Sequence, residues 1–312
     1  MRHLRNLKDA DLDSDSLVTI GVFDGVHLGH QQLIQRLVDS ARASGRKAIV
    51  LTFYPHPDKV LERVKTRYYL TTPEKRAQLL LKLGVDLVIT HPFDDATRHL
   101  PAARFIDLLV EKLRIKEIWV GADFALGFQR EGDVRYLRAQ GEKHGFNVTA
   151  MELITAQSSE QLIRSSTIRD QVRNGNMGAA KAMLGRAYAL EGTVVAGERR
   201  GRTIGAPTAN LAVWSEQIIP GNGVYATWAR LGEETFQAAT NIGMRPSFAG
   251  NRLTIEAHLL NFDRDIYGEV MELSFEKRLR PEQKFSHLDE LAKQIQADIA
   301  ATRRSLQPDL HI

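Results

Sequence analysis

A chain of 312 residues, 43% hydrophobic and 26% charged, is too long for one ordinary core and predicts two domains of roughly 120 to 190 residues each. It has no cysteine, which excludes disulfides and cysteine-held zinc, and no apolar run approaches the ~20 residues of a membrane span. The opening "MRHLRNLKDADLDSDS" lacks the apolar stretch of a secretory signal, so the expectation is a cytoplasmic protein with no membrane partner; a net charge of +4 suits phosphorylated small molecules and polynucleotides alike.

From Leu17 to about Leu153, short β-branched runs alternate with longer amphipathic ones, the pattern of a parallel sheet covered by helices. The strands are expected at "SLVTIGVF", "KAIVLTF", "VDLVIT", "EIWVG" and "NVTAMEL". Between the first two, "HQQLIQRLVDSARASG" puts Leu33, Ile34, Leu37 and Ala41 on one helical face and stops at Gly45. "TTPEKRAQLLLKLG" reads as a helix with Thr72 as N-cap, Pro73 at its first position and Gly84 past its end. A helical stretch, "STIRDQVRNGNMGAAKAMLG", leads to a change of texture near Gly185. From Tyr188 the apolar residues alternate in evenly spaced short segments, which predicts a small antiparallel barrel or sandwich, and "SHLDELAKQIQADIAATRRSL" predicts a closing helix. The expected domains are 1–185 and 186–312.

"GVFDGVHLGH" stands where the first strand gives way to its helix. In an open α/β sheet ligands bind there, because free backbone N–H groups and the helix dipole face the crevice. Gly21, Gly25 and Gly29 let the backbone turn tightly, and His27 and His30 share one face of the helix N-terminus. Imidazoles so placed can stabilise charge that builds on phosphate oxygens during displacement. The bland reading of a bare HxGH is a solvated loop, and its position after the strand argues against that.

The second unit carries "GTVVAGERRGRTIGAPTANL", a Gly- and Arg-rich loop able to cover phosphates but lacking the Gly-Lys-Ser/Thr step of a Walker A motif. Thr208 and Asn210 alternate along an extended segment, so both point the same way, and neutral oxygens of this kind suit a Mg²⁺ that keeps its waters and phosphate ligands.

These residues resemble a known family. "GVFDGVHLGH", followed by "TFYPHP", "VGADFALGFQREGD" and "RSSTIRD", is similar to the N-terminal module of bacterial bifunctional riboflavin kinase/FAD synthetases, and "PTAN", "GVYAT", "TNIGMRPSF", "IEAHLLNFDRDIYG" and "LRPEQKF" resemble its kinase module. The resemblance implies a Rossmann-like nucleotidyltransferase domain followed by a small β-barrel kinase with a closing helix, ATP and Mg²⁺, and riboflavin and FMN as substrates. By that carry-over His27 and His30 act on the ATP phosphates, Gly21, Phe23, Asp24, Gly25 and Asp123 line the nucleotide site, and Ser165, Ser166, Thr167 and Arg169 form its second phosphate motif. Phe53, His56 and Pro57 border the flavin. In the kinase module Gly201, Arg202 and Gly205 hold nucleotide, Thr208 and Asn210 hold metal, Glu256 is the general base, and Arg280 and Phe285 contact flavin.

Three positions depart from the family wording: Arg164 stands where a serine is usual, Ala206 where an aromatic is, and Ser247 where threonine is common. Two other readings stay open on the residues alone: a protein with one active domain, and a basic nucleotide- or RNA-binding protein. The chain lacks the lysine cluster and aromatic-rich strands that the RNA reading needs, so no nucleic-acid partner is expected. The sequence says nothing of oligomeric state.

Overall fold

The computed structural model describes residues 2–151, 163–196, 207–247, 250–283 and 285–307. They form two compact units, Met1–Ser165 and Ser166–Ile312.

The first unit is built on six parallel strands: β1 (Arg2–Leu4), β2 (Ser16–Ile20), β3 (Lys47–Tyr54), β4 (Leu87–Pro92), β5 (Ile115–Gly121) and β8 (Asn147–Met151). Their order is β1-β4-β3-β2-β5-β8, so the chain runs outward from β2 on one side and then returns to its other side. Two short strands, β6 (Ala125–Leu126) and β7 (Gly132–Asp133), make a separate ribbon. Helices α1 (Leu28–Ala43) and α3 (Pro73–Lys82) cover one face, where Ile34, Leu37, Ala77 and Leu80 meet Leu17, Val50 and Val88. On the other face α5 (Ala102–Leu113) and α6 (Val134–His144) bury Phe105, Ile106, Leu109 and Leu137 against Val18, Ile49 and Ile118. Successive residues of β2 and β3 thus serve opposite cores, which is why both strands read as unbroken apolar runs. Two single-turn helices, α2 (Pro57–Val60) and α4 (Asp95–Arg98), sit in the connections after β3 and β4.

Helix α3 follows its local signals: the Thr72 side chain accepts the Lys75 N–H at 3.1 Å, Pro73 opens the helix, and Gly84 takes φ +92°. The first strand ends earlier than its apolar run suggests, at Ile20, because Phe23 (φ 51°), Gly25 (φ 80°) and Val26 (φ 41°) are left-handed. The run expected as one helix beyond Ser165 divides into α7 (Ser165–Arg173) and α8 (Met177–Leu184), interrupted at Gly175 with φ +75°.

The second unit is a closed antiparallel barrel, β10-β13-β12-β11-β14-β9. Its strands are β9 (Tyr188–Val195), β10 (Ala209–Val213), β11 (Gly223–Leu231), β12 (Glu234–Ser247), β13 (Gly250–Leu259) and β14 (Val270–Arg280), with α9 (Leu288–Ser305) following. Leu190, Ile242, Ala257 and Phe275 are buried, and Thr227 and Thr240, both fully buried, satisfy each other at 2.7 Å. Closure leaves no free sheet edge.

Candidate active sites

Beyond Ile20 the chain leaves the sheet at the C-terminal end of its central strand. The Gly21 N–H still reaches the Leu51 carbonyl at 3.1 Å, and a side chain at Gly21 would press on the Phe23 ring. His27 is the N-cap of α1: its Nδ1 accepts the His30 N–H at 3.3 Å, so in the neutral ring the proton sits on Nε2, a donor. The two imidazoles stack, centroids 3.6 Å apart at 18°, with Phe23 edge-on to His30. Burial, then the His27 ring and the Arg76 guanidinium, hold His30 well below its usual 6.5, so it is neutral at physiological pH. Its Nδ1 is buried with no hydrogen-bond partner among the described residues.

Asp24 is buried, and its carboxylate accepts the backbone N–H groups of Leu70 (3.0 Å) and Thr71 (3.2 Å). It therefore shapes the loop from beneath. Ser165, which opens α7, donates to the Asp24 carbonyl at 3.0 Å and brings the start of "SSTIR" to the same loop. Ser166, Thr167 and Arg169 follow on α7, Arg169 buried, and Arg164 lies exposed just before it. Asp123 is exposed in the turn after β5, the strand beside β2.

On the other side of β2, the end of β3 carries the flavin candidates. Phe53 packs among Phe93 and Phe105 with centroids 5.8 and 6.3 Å away, so its ring belongs partly to the core. His56 caps α2 through Nδ1, which accepts the Asp58 N–H at 3.1 Å, and Pro57 is the first residue of that helix. Tyr68 and Tyr69 meet His56 edge-on, and Tyr54 packs on Tyr69 behind them.

In the barrel, Asn210 of β10 lies opposite Glu256 of β13, and Glu256 lies opposite Asn241 of β12. Directly opposed residues of antiparallel strands share a face, so three polar side chains line up across three strands, with Ile255 and Ala257 turned to the core. Glu256 is largely buried, at 8% exposure, while Asn210 is half-buried. His258 donates from Nδ1 to the Pro207 carbonyl at 2.8 Å, which ties down the approach to Thr208. Thr208 and Asn210 open onto a cleft of about 340 Å³ whose far wall is Phe262, Asp263, Arg264 and Tyr267. Among the described residues no group of three His, Cys, Asp or Glu could hold a metal. The donor set is thus two neutral oxygens beside one carboxylate, which fits Mg²⁺ retaining water and phosphate ligands and does not make a protein cage.

Arg280, at the end of β14, is held from α9. Asp298 of α9 engages Arg280 bidentately at 2.9 and 2.8 Å, and the guanidinium lies over the Phe285 ring at 5.8 Å. Arg280 thereby joins α9 and its lead-in to the barrel. Gly201, Arg202, Gly205 and Ala206 lie outside the described residues, as does the side chain of Ser247. Sequence reasoning passed over Arg76, Tyr69 and Asn241. Only Asn241 carried a signal, as part of the quoted "TNIG".

The FAD synthetase family model matches residues 9–167 and the riboflavin kinase family model residues 184–306. The chain is 38% identical to the bifunctional riboflavin kinase/FMN adenylyltransferase of Escherichia coli K12 over 97% of its own length and 96% of that protein's. The chain belongs to the bifunctional riboflavin kinase/FMN adenylyltransferase family. A relative of the same description from Listeria monocytogenes is 36% identical over 93% of this chain and 92% of its own. Among solved structures, a crystal structure described as a macrolide-efflux protein from Streptococcus pneumoniae has the same fold, with TM-score 0.88 and 30% identity over 96% of this chain and 98% of that one. Among the described residues of this family member no helix is long and apolar enough to cross a membrane.

Proposed function

We propose that the chain makes FAD in two steps: riboflavin and ATP give FMN and ADP in the barrel, then FMN and ATP give FAD and pyrophosphate in the α/β unit. We take the functional division between 185 and 186, just after the start of the riboflavin kinase match at residue 184. The observation that carries the reading is the stacked His27–His30 pair at the N-terminus of α1, at the end of the strand from which the sheet winds both ways.

In the barrel, Glu256 takes the proton from the primary ribityl hydroxyl as that oxygen attacks the γ-phosphorus. A carboxylate fixed between Asn210 and Asn241 on a rigid sheet holds the nucleophile in line, and phosphoryl transfer depends chiefly on such positioning. The cleft walled by Phe262 and Arg264 takes the nucleotide base. Mg²⁺, held with Thr208 and Asn210, would neutralise charge on the phosphates. In the α/β unit an FMN phosphate oxygen attacks the α-phosphorus, and the bond to pyrophosphate breaks with no covalent enzyme intermediate. The Nε2–H of His27 donates to the oxygens on which charge develops, and His30, neutral and stacked behind it, keeps that donor aimed. Asp123 and Ser165 line the triphosphate, and Phe53, His56 and Pro57 border the flavin.

Product analysis by chromatography with riboflavin, ATP and magnesium tests the whole reading. FMN should appear first and FAD should follow it. FMN without FAD would overturn the assignment of the α/β unit, and unchanged riboflavin would overturn that of the barrel.

A further inference from the structure

Arg76 lies one turn into α3 and is 0% exposed, so it cannot touch a substrate. Its Nη1 donates to the Val22 carbonyl at 2.8 Å, and its Nη2 donates to the Phe53 carbonyl at 2.9 Å. Val22 lies in the loop that leads to His27, and Phe53 is the last residue but one of β3, just before the loop that leads to His56. Both carbonyls lie where the two strands part, Val22 already beyond the β2 ladder.

The residues just before Arg76 hold the same two loops. The N–H groups of Leu70 and Thr71 grip the Asp24 carboxylate in the first loop, and the Tyr69 hydroxyl accepts the His56 N–H of the second at 2.7 Å. Residues 69–76 therefore fasten the first loop at Val22, Asp24 and Gly25 and the second at Phe53 and His56. A planar fork presents two donors in fixed, diverging directions, which suits two carbonyls on different segments better than the single point charge of an ammonium. Burying that charge is costly, and burial depresses the Arg76 pKa while Asp24, Tyr69 and Glu74 act against the shift.

We propose that Arg76, together with Tyr69, is a positioning residue for adenylyl transfer, setting the separation between the loop that holds ATP and the loop that holds FMN. The inference rests on the reading of the α/β unit given above. In-line attack joins two substrates held by two different loops, so a shift of about 1 Å in their spacing costs on the order of 100-fold in rate even when each substrate still binds. The brace acts on alignment, and its signature is a change in kcat with little change in KM.

The test is steady-state FAD formation from FMN and ATP by the full chain, with riboflavin phosphorylation measured alongside. Arg76→Met should lower kcat for FAD formation by about 100-fold and leave both KM values within about threefold, with the kinase rate unaltered. Arg76→Lys, which keeps the charge and reaches one carbonyl, should recover part of the loss. Tyr69→Phe removes only a hydroxyl and should lower kcat by about fivefold. A folded Arg76→Met chain with wild-type kcat, or a loss carried by KM alone, overturns the proposal. Should Arg76→Met fail to fold, Tyr69→Phe decides: lowered kcat supports the brace and unchanged kcat overturns it. If the unaltered protein makes no FAD from FMN, the reading of the unit falls, and the brace falls with it.

Discussion

Asn210 and Glu256 stand directly opposite each other on β10 and β13, in antiparallel register, so an amide and a largely buried carboxylate rise from one face of the barrel wall. The residue that would hold metal and the residue that would take the proton are thereby set by one pair of strands, and neither depends on a mobile connection to meet the other.

That pairing makes Glu256→Gln a clean probe, since glutamine keeps the shape and removes the base. Riboflavin phosphorylation should fall by about 10²- to 10⁴-fold, while FAD formation from added FMN stays at the wild-type rate. Discontinuous assays of the two steps on one preparation check it, and an unchanged kinase rate removes Glu256 from the role of base.

His27→Ala and His30→Ala should do the converse. Loss of the His27 donor should cost FAD formation about 10²- to 10³-fold with FMN formation intact. His30→Ala leaves the His27 ring unsupported on one side and should be nearly as damaging. Equal loss of both activities in a folded variant would contradict separate sites.

Acid should destabilise the fold in a defined window. His30, His3 and His91 are all held below 6.5, chiefly by burial, so below that pH the unfolded chain takes up protons that the folded one refuses. Their contribution to stability is full above 6.5 and is lost as pH falls through 6.5 toward the folded values, at up to about 1.4 kcal/mol per pH unit for a buried group and less for the half-exposed His3, whose charge solvent screens. Glu74 and Asp94, whose pKa values are lowered, weigh only at more acid pH. Urea midpoints at pH 7.5 and 5.5 should differ, and His30→Asn should narrow the difference; equal midpoints in the unaltered protein contradict the shifts.

Asp298→Ala should strip Arg280 of its partner and leave a guanidinium, 17% exposed, without its carboxylate. Removing one member of such a pair costs roughly 3 kcal/mol, so the thermal midpoint of the barrel should drop while the kinase retains activity below that temperature. A loss of riboflavin affinity without a loss of stability would return Arg280 to the flavin.

Much of this molecule is legible locally. Thr72, Pro73 and Gly84 mark the bounds of α3 because caps and left-handed turns are decided within a few residues, and the switch from helical to alternating periodicity marks the barrel because each period reports which side of an element is buried. The histidine pair is also local, since residues three apart at the start of a helix share a face. Arg280 shows where this stops: its fork is satisfied by Asp298 on another element, and no property of the two residues announces that they will meet.

The chain alone settled the two architectures, the family and the two places where phosphate chemistry belongs, because periodicity and short motifs are properties of neighbouring residues. Tertiary structure decided which polar groups face substrate and which face backbone: Asp24 turned inward to Leu70 and Thr71, Arg76 tied two loops, and Asn241 joined Glu256 across a strand. The physical reason is that burial and hydrogen-bond partnership of a side chain are fixed by elements distant in sequence, and only folding brings those elements within bonding distance.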